Sequence, residues 1–454
     1  MGRFSEVLSL LGRGMRVLRH EGPSVFFNRF MREIRSWKLR PSEPVPEAGW
    51  LANASGEAVY TTVLKTDSGS LVHVSAGKKL EFGVNFAGYF TGQLGLGASA
   101  RAFAKALDLA GVPHVLNNIV VQRERRRSSL KFSKRNPYAI NLIHVNVGDV
   151  EAFLREKGPT YVAGRCNIGV LYWELERFPA RWLPAFRVYD EVWVTSSFAA
   201  ESISKVSPVP VIRMVYPLFV NANLVDRHPR RAFGLPEDHY IFLFTFDFKG
   251  VVERKNPMAL LEAFKLAFEA HDKTLLVINC INAWHDPVSA QELSKSSANL
   301  KTKILMKHLP ERDYLNLLNA CDCYVSLHRS EGLGLGMAEA MYLGKPVIAT
   351  AYSGNMDFMN ANNSLLVRYH LVELDRDYGP FERGNVWAEP DVEHAAELMR
   401  WIYENRDDAK RMGERASGDV KKCMDPDAAA EKVKERLGRI YGRYLDRGRE
   451  AQQA

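Results

Sequence analysis

Short apolar runs alternate with amphipathic stretches through most of this chain. Between residues 80 and 220, runs such as LEFGVNFAGYF, VPHVLNNIV and INLIHVNV are separated by helix-like stretches such as ASARAFAKALDLAG. The same alternation returns later in IFLFTFDF, NPMALLEAFKLAFEA, TLLVINCI and CDCYVSLH. Strands separated by helices predict parallel sheets with right-handed crossovers. We therefore predict an α/β protein with two Rossmann-like, doubly wound domains that face each other across a cleft.

The boundaries of these domains follow from shifts in the pattern. The run HPRRAFGLPEDHY marks the crossing between the two alternating halves. We predict an N-terminal domain over 79–222 and a C-terminal domain over 223–427. A long final helix is predicted at about 428–448, and residues 46–78 read as a linker with short strands.

The first 45 residues form a segment of a different kind, which we predict to be a basic amphipathic helix. Residues 1–40 hold nine Lys or Arg and three Glu, so this segment carries +6 of the net charge of +8. An apolar stripe opposite basic side chains suits the surface of an anionic membrane. The alternative is a helix packed on the body of the protein. Nucleic acid is not expected as a partner, because no stacking platform or groove-reading motif accompanies the charge.

Composition narrows the class of protein. A chain of 454 residues with 46% apolar and 25% charged residues is typical of a two-domain globular enzyme. The five cysteines lack metal-ligand or redox spacing, which indicates free thiols in a reducing compartment. The sequence contains no export signal and no apolar run long enough to span a membrane. These observations favour a cytoplasmic protein, peripheral on the inner face of the membrane.

The stretch EGLGLGMAEAMYLGKPVIATAYSGNMD, residues 331–357, carries the clearest candidate chemistry. It predicts a glycine loop that opens a helix, followed by an apolar strand. Backbone N–H groups at such a helix start suit a diphosphate, and Glu331 and Glu339 can accept hydrogen bonds from hydroxyls. A site that binds an anion beside groups that accept hydroxyls is suited to a nucleotide sugar. The alternative is an ordinary glycine-rich turn with a capping glutamate.

This stretch resembles the signature of the retaining glycosyltransferases of family 4, which have the GT-B fold. The resemblance implies that Glu331 contacts the donor sugar and that Glu339 holds the ribose hydroxyls. It also implies that the amides of Gly332, Leu333, Gly334 and Leu335 face the phosphates. His328 is predicted to lie near the donor, because only Arg329 and Ser330 separate it from Glu331. In such enzymes the acceptor hydroxyl attacks from the front face and the leaving phosphate takes its proton. The final helix is then expected to cross back to the N-terminal domain.

A second candidate element follows the first strand of the C-terminal domain. The loop DFKGVVERKNP places Arg254 and Lys255 together before a helix, which suits a diphosphate. In the family this loop supplies an Arg and a Lys to the donor phosphates, and Lys255 matches. The usual Gly-Arg pair is replaced by Phe246 and Asp247, so we predict that Arg254 takes over. The alternative is a solvated loop.

The N-terminal domain has a glycine loop of its own, GQLGLGASA, after its first strand. The resemblance assigns Gly95 and Gly97 to the donor phosphates. The pattern over Gly95–Ala100 also fits a dinucleotide site, which leaves an NAD-dependent nucleotide-sugar-modifying enzyme as an alternative. That site expects an acid at the end of the next strand, where Asn117 and Asn118 stand instead.

The remaining expectations concern the acceptor, metals and the pathway. Trp173 and Glu174 end a strand of the N-terminal domain and are predicted to bind the acceptor, with core packing as the alternative for Trp173. No metal or other cofactor is expected, because no clustered ligands appear. The runs RCNIGVLYWELERFP and VERKNP resemble bacterial enzymes that build surface polysaccharide, such as O-antigen or exopolysaccharide. A nucleoside-diphosphate-sugar donor and a glycan or lipid-linked acceptor are the expected partners. A non-catalytic scaffold of the same fold is the other alternative.

Overall fold

The computed structural model describes most of the chain. It gives the backbone of 47–52, 58–65 and 71–76, and it describes residues 80–92, 95–119 and 130–453, without the side chains of 159 and 447–453. The predicted basic helix of residues 1–45 lies outside the described residues. The first described elements are the antiparallel strands β1 (Glu47–Ala52), β2 (Ala58–Lys65) and β3 (Leu71–Ala76).

The N-terminal domain is built on a parallel six-stranded sheet in the order β5-β4-β6-β7-β8-β9. Its strands are β4 (Glu81–Gly88), β5 (His114–Asn118), β6 (Tyr138–His144), β7 (Cys166–Val170), β8 (Glu191–Val194) and β9 (Val211–Arg213). Its helices are α1 (Gly95–Leu109), α2 (Val150–Lys157) and α3 (Ser197–Ser204). The strands are nearly continuous apolar runs, because the sheet packs apolar side chains on both of its faces.

The C-terminal domain repeats this plan with a parallel sheet in the order β12-β11-β10-β13-β14-β15. Its strands are β10 (Tyr240–Asp247), β11 (Thr274–Ile281), β12 (Thr302–Leu305), β13 (Cys323–Ser326), β14 (Val347–Thr350) and β15 (Leu365–Val367). Its helices are α4 (Pro229–Ala232), α5 (Val252–Lys255), α6 (Pro257–Ala267), α7 (Pro287–Ser297), α8 (Glu311–Ala320) and α9 (Leu335–Tyr342). The predicted fold class, two Rossmann-like domains, is confirmed.

A feature that the sequence pattern did not predict follows β15. Residues 369–390 form an antiparallel hairpin of β16 (Tyr369–Glu373) and β17 (Val386–Pro390), joined by a long tip. This hairpin is not part of either large sheet. The chain then continues through α10 (Val392–Glu404) and α11 (Arg406–Cys423).

The last helix, α12 (Pro426–Gln453), packs against the N-terminal domain. Leu437 and Tyr444 lie in the core beside β4 and β6. Arg436 donates to the buried Glu191 of β8, with its Nε 2.8 Å from Oε1. The chain therefore crosses between the domains twice, which holds the two sheets against a common cleft.

Candidate active site

The glycine-rich motif lies where the C-terminal sheet reverses its order. Strands β10 and β13 are neighbours in the sheet. The later strands are added outward from this pair in opposite directions, which creates a crevice at the carboxyl ends of β10 and β13. The motif fills this crevice and opens α9. Gly334 precedes the helix with a φ of +91°, and a Cβ atom on it would lie 2.5 Å from Met337 Cε. Only glycine fits this turn, so the backbone N–H groups at the start of α9 remain open to a ligand.

A compact ion cluster stands at the first carboxylate of the motif. Lys255 donates a hydrogen bond to Glu331 Oε1. The Nη1 atom of Arg254 lies 3.2 Å from Glu331 Oε2 and donates a 2.7 Å hydrogen bond to the carbonyl of Ser330. Burial by itself would raise the pKa of Glu331, but the adjacent Lys255 and Arg254 lower it to about 2. Glu331 is therefore ionised, and both cations are held at one point of the cleft.

The loop that carries the two cations has an unusual backbone. Val251 has a φ of +62°, which is rare for a β-branched residue, and Asn256 has a φ of +54°. Strained conformations of this kind concentrate at functional sites. Asp247 accepts hydrogen bonds from Lys249 N (2.9 Å) and Asn282 Nδ2 (3.0 Å). Asp247 thus shapes the loop, and the replacement of the Gly-Arg arginine by Arg254 stays a prediction.

The second carboxylate occupies a different environment. Glu339 lies one turn into α9, and its Oε2 accepts a 2.8 Å hydrogen bond from Tyr314 Oη. Burial raises its pKa to about 7. Tyr216, from the N-terminal side of the cleft, has a pKa raised by burial and further by the nearby Tyr172 and Glu339. Glu339 therefore faces the cleft with one oxygen atom still able to accept a hydroxyl.

His328 is brought to the base of the motif rather than to its surface. It is fully buried. Its Nε2 atom lies 3.2 Å from Tyr352 O and 3.1 Å from Asn355 Oδ1, and its Nδ1 atom lies 3.0 Å from Ser326 Oγ. Because burial lowers its pKa, the ring is neutral, with Nε2 donating and Nδ1 accepting. Both nitrogens are engaged, so the geometry offers a supporting role, and a direct donor contact stays a prediction.

The N-terminal domain contributes the start of α1 to the cleft. Gly95 opens this helix, and a Cβ atom on Gly97 would lie 2.3 Å from the carbonyl oxygen of Gly92. The strand order β5-β4-β6 makes this a switch point as well. Asn117 and Asn118, at the end of β5, hydrogen-bond to neighbouring loops. Farther along α1, Ser99 hydrogen-bonds to Tyr172, whose Cδ1 atom would lie 3.9 Å from a Cβ atom on Gly332.

In the segment after β7, buried residues alternate with partly exposed ones. Leu171, Trp173 and Leu175 are buried, whereas the residues between them are partly exposed. Trp173 packs against Phe178, Trp182 and Phe381, and it is 2% exposed, so no ring face is available to a sugar. Trp173 is a core residue, and its predicted contact with the acceptor is not provided by this geometry.

The alternate residues of that segment do face the C-terminal domain. The Oε1 atom of Glu174 lies 4.0 Å from Arg254 Nη2, and Ser330 donates to the carbonyl of Glu174. Tyr352 donates a 3.0 Å hydrogen bond to Glu176. Tyr172, which our sequence reasoning missed, lies in contact range of Gly332. The period-two pattern of apolar and polar residues in LYWELE could have identified Tyr172.

The described residues were predicted to contain neither a metal site nor a membrane-spanning helix. In the part of the chain that the structure describes, no group of three His, Cys, Asp or Glu is placed to hold a metal ion. Among the same residues, no helix combines the length and the apolar character needed to cross a bilayer. All five cysteines are free thiols, as their spacing predicted.

Residues 227–419 match the family model described as "Glycosyl transferases group 1". None of the curated protein sequences is significantly similar to the chain. Many solved structures share the fold. The match spans the ion cluster, the glycine-rich motif and the hairpin. Together with the fold, it supports a glycosyltransferase.

Three solved structures illustrate the similarity of fold. Anabaena HepE, in complex with UDP and glucose, is 13% identical and has a TM-score of 0.56, covering 79% of this chain and all of its own. Sucrose-phosphate synthase of Thermosynechococcus elongatus is 15% identical with a TM-score of 0.59, covering 80% of this chain and all of its own. WaaG, a glycosyltransferase involved in lipopolysaccharide biosynthesis, is 15% identical with a TM-score of 0.50, covering 78% of this chain and 99% of its own.

Proposed function

We propose that the protein is a retaining glycosyltransferase that moves a hexose-type sugar from a nucleoside-diphosphate sugar to a glycan or lipid-linked acceptor. The observation that carries the proposal is the meeting of Glu331, Arg254 and Lys255 at one point of the cleft. Glu339 lies on the same motif, one turn into the helix that begins there. Paired cations suit a diphosphate, and the two carboxylates suit hydroxyls of a sugar and a ribose.

The roles of these residues follow from the charge that develops during transfer. The bond between the sugar C1 atom and the phosphate oxygen breaks, and the leaving diphosphate gains negative charge. Arg254, Lys255 and the start of α9 stabilise that charge, because they are already fixed in a largely buried site. Before the donor enters, Glu331 offsets one of the two positive charges, and Glu174 lies 4.0 Å from Arg254. The donor phosphates then take over Arg254 and Lys255, which leaves Glu331 able to hold a sugar hydroxyl.

Retention follows if the acceptor attacks from the side of the leaving group. In this step a bond forms between the acceptor oxygen and C1, and the acceptor proton passes to the departing phosphate oxygen. No protein nucleophile is then required. Glu174 lies beside Arg254 at the boundary of the two domains, where it can orient the acceptor hydroxyl. The NMR assignment of the product anomer, compared with that of the donor, tests retention directly.

The experiment that tests the donor site is calorimetric binding of UDP, GDP, dTDP and NAD. Wild type should bind one nucleoside diphosphate tightly, and Glu339→Ala should abolish that binding, because it removes the carboxylate that faces the ribose. The matched control is Glu292→Ala, an exposed carboxylate on α7, which should bind as wild type does. Binding of NAD alone would overturn the proposal and move the active site to Gly95–Ala100.

We also propose that the enzyme works at a membrane surface in the synthesis of surface polysaccharide. The support is the net charge of +6 in residues 1–40, opposite an apolar stripe. The full-length chain should sediment with vesicles containing anionic lipid at low salt and should be released at high salt. Replacing Arg13, Arg16 and Arg19 with Gln should weaken this association. Failure of wild type to sediment would contradict the proposal.

A further inference from the structure

The proposed mechanism gives no role to the hairpin that the sequence pattern did not predict, although this hairpin contacts both domains. We call residues 369–390 the arm; it consists of β16, a tip over 374–385, and β17. Its tip is ordered by reciprocal backbone hydrogen bonds between Tyr378 and Phe381, of 2.8 and 3.0 Å. Phe381 is 2% exposed although the arm lies outside both large sheets. The tip is therefore packed into the molecule rather than extended into solvent.

The tip packs against the loop that carries the two cations. The guanidinium carbon of Arg254 lies 5.9 Å from the centre of the Phe381 ring. A Cβ atom on Gly379 would lie 3.2 Å from Val251 Cγ2, so the arm passes directly over the residue with the strained backbone. Arg376 Nη2 lies 3.7 Å from Glu253 Oε1. Contacts with the arm thus run along the same short loop that holds Arg254 and Lys255.

The base of the arm is tied to the same loop through Arg329. Its Nε and Nη2 atoms donate to both oxygens of Glu389 on β17, at 2.6 and 2.9 Å. Its Nη1 donates to the carbonyl of Glu253 at 2.8 Å, and its guanidinium stacks on Trp387. A bidentate pair with a planar stack fixes orientation in a way that a lysine could not. Arg329 therefore joins the arm, the cation loop and the residues just before Glu331.

The same tip also engages the N-terminal domain. The rings of Phe381 and Trp173 are 5.5 Å apart. Arg177 and Asn385 exchange hydrogen bonds, with Asn385 Nδ2 donating to the Arg177 carbonyl at 2.7 Å and the Arg177 N–H donating to Asn385 Oδ1 at 3.3 Å. Arg181 donates to Pro380 O at 2.8 Å. Phe381 thus lies between Trp173 of one domain and Arg254 of the other.

We propose that the arm positions Arg254 and Lys255 for the donor diphosphate. Phe381 and Arg329 are the positioning residues, and neither needs to touch the substrate. A loop with Val251 in a rarely populated conformation needs support from its surroundings to hold that shape. The arm provides this support through Phe381, which lies between Trp173 and Arg254, and through Arg329, which holds the carbonyl of Glu253. This inference rests on the proposed donor site and adds to it a distinct contribution to diphosphate binding.

The test compares binding of diphosphates with binding of uncharged nucleosides. UDP, GDP and dTDP, and then uridine, guanosine and thymidine, are titrated into wild type and Phe381→Ala. Binding of the preferred diphosphate should weaken by about tenfold, the size expected for loosened charge-assisted contacts. Binding of the matching nucleoside should not change, because Glu339 lies apart from the arm. The control Leu371→Ala removes an exposed apolar side chain of β16 and should leave both affinities as in wild type.

A second variant tests the role of the arm in case Phe381→Ala does not fold. Arg329→Lys keeps the charge but loses the bidentate pair, and it should show the same selective loss of diphosphate binding. Unchanged diphosphate binding in folded Phe381→Ala and Arg329→Lys would overturn the role of the arm while leaving the donor site intact. An equal loss of nucleoside and diphosphate binding would also overturn it, since that pattern reports general damage. Absence of diphosphate binding to wild type would overturn the proposed function, and the role of the arm with it.

Discussion

The two sheets of this protein share one plan but present different chemistry at the edges that face the cleft. At the C-terminal edge, Glu331 is ionised between Arg254 and Lys255. At the N-terminal edge Glu174 and Glu176 are charged, but behind them lies a neutral chain, in which His144 Nε2 lies 2.9 Å from Ser99 Oγ and Ser99 Oγ lies 2.5 Å from Tyr172 Oη. Burial lowers the pKa of His144 to about 4, so this chain carries no charge at neutral pH.

The difference shows how one fold can divide a transfer reaction between its halves. A diphosphate donor needs fixed charge, and charge in a largely buried site must be paired until the ligand arrives. A hydroxylic acceptor needs only donors and acceptors of hydrogen bonds, which a neutral network supplies. If this division is correct, changes to the charged cluster around Glu331 should alter chemistry, and changes to the neutral chain through Ser99 should alter mainly stability.

The largest effect is expected for Glu331→Gln, which removes the carboxylate charge proposed to hold the donor sugar. Turnover should fall by about a hundredfold, the scale at which a single charge-stabilising group acts in other enzymes. Affinity for the nucleoside diphosphate should change much less, because the proposed partner of Glu331 is the sugar, which a diphosphate lacks. Steady-state kinetics and calorimetry measure the two effects separately, with Glu292→Gln as the control. If Glu331→Gln turns over as fast as wild type, the charge of Glu331 has no role in catalysis.

An intermediate effect is expected from the pH dependence of stability, since Glu339 has its pKa raised from 4.5 to about 7. The folded state retains a proton that the unfolded chain releases. This stabilisation is complete below pH 4.5 and is lost as the pH rises to about 7. Glu339→Gln should lack this loss, so the variant should gain stability relative to wild type over that range. Urea unfolding at several pH values measures the difference, and parallel curves would contradict the buried environment of Glu339.

The smallest effect on chemistry is expected for Ser99→Ala, which breaks the neutral chain. The variant loses the hydrogen bonds of Ser99 with His144 Nε2 and with Tyr172 Oη. Because these buried polar groups lose a partner, the free energy of unfolding should fall by about 1–3 kcal/mol. Affinity for nucleoside diphosphates should stay close to that of wild type. Urea unfolding and calorimetry test both statements, and Ser204→Ala, on the exposed face of α3, is the matched control. A loss of diphosphate binding without a loss of stability would place Ser99 on the donor side.

Much of the fold and part of the site could be predicted from the chain alone. The alternation of apolar runs and helical stretches indicated both sheets, because a strand covered on both faces must be apolar throughout. The structure places the glycine loop at Gly332–Gly336 beside the cations Arg254 and Lys255, and their roles in donor binding stay predictions. Their signals are local: a turn that only glycine can form and two basic residues before a helix.

Other features depended on what packs against each residue. Trp173 and Glu174 are neighbours in sequence, but Trp173 is enclosed by Phe381 and other rings, while Glu174 faces Arg254. The arm was not predicted, because its two strands do not take part in the alternation of strands and helices, and the rings that seat its tip, such as Trp173, come from a distant part of the chain. Its role depends on contacts that cross from one domain to the other.

The sequence by itself determined the two parallel sheets, the glycine turn at Gly334 and the presence of paired cations and carboxylates. Each of these depends on backbone geometry or side-chain type within a short stretch. Only the tertiary structure decided that Lys255 and Arg254 both pair with Glu331, that Trp173 is core, and that the ring of Phe381 lies beside Arg254. The physical reason is that burial and charge pairing depend on groups brought together from distant parts of the chain, and these set the pKa and the orientation of each side chain.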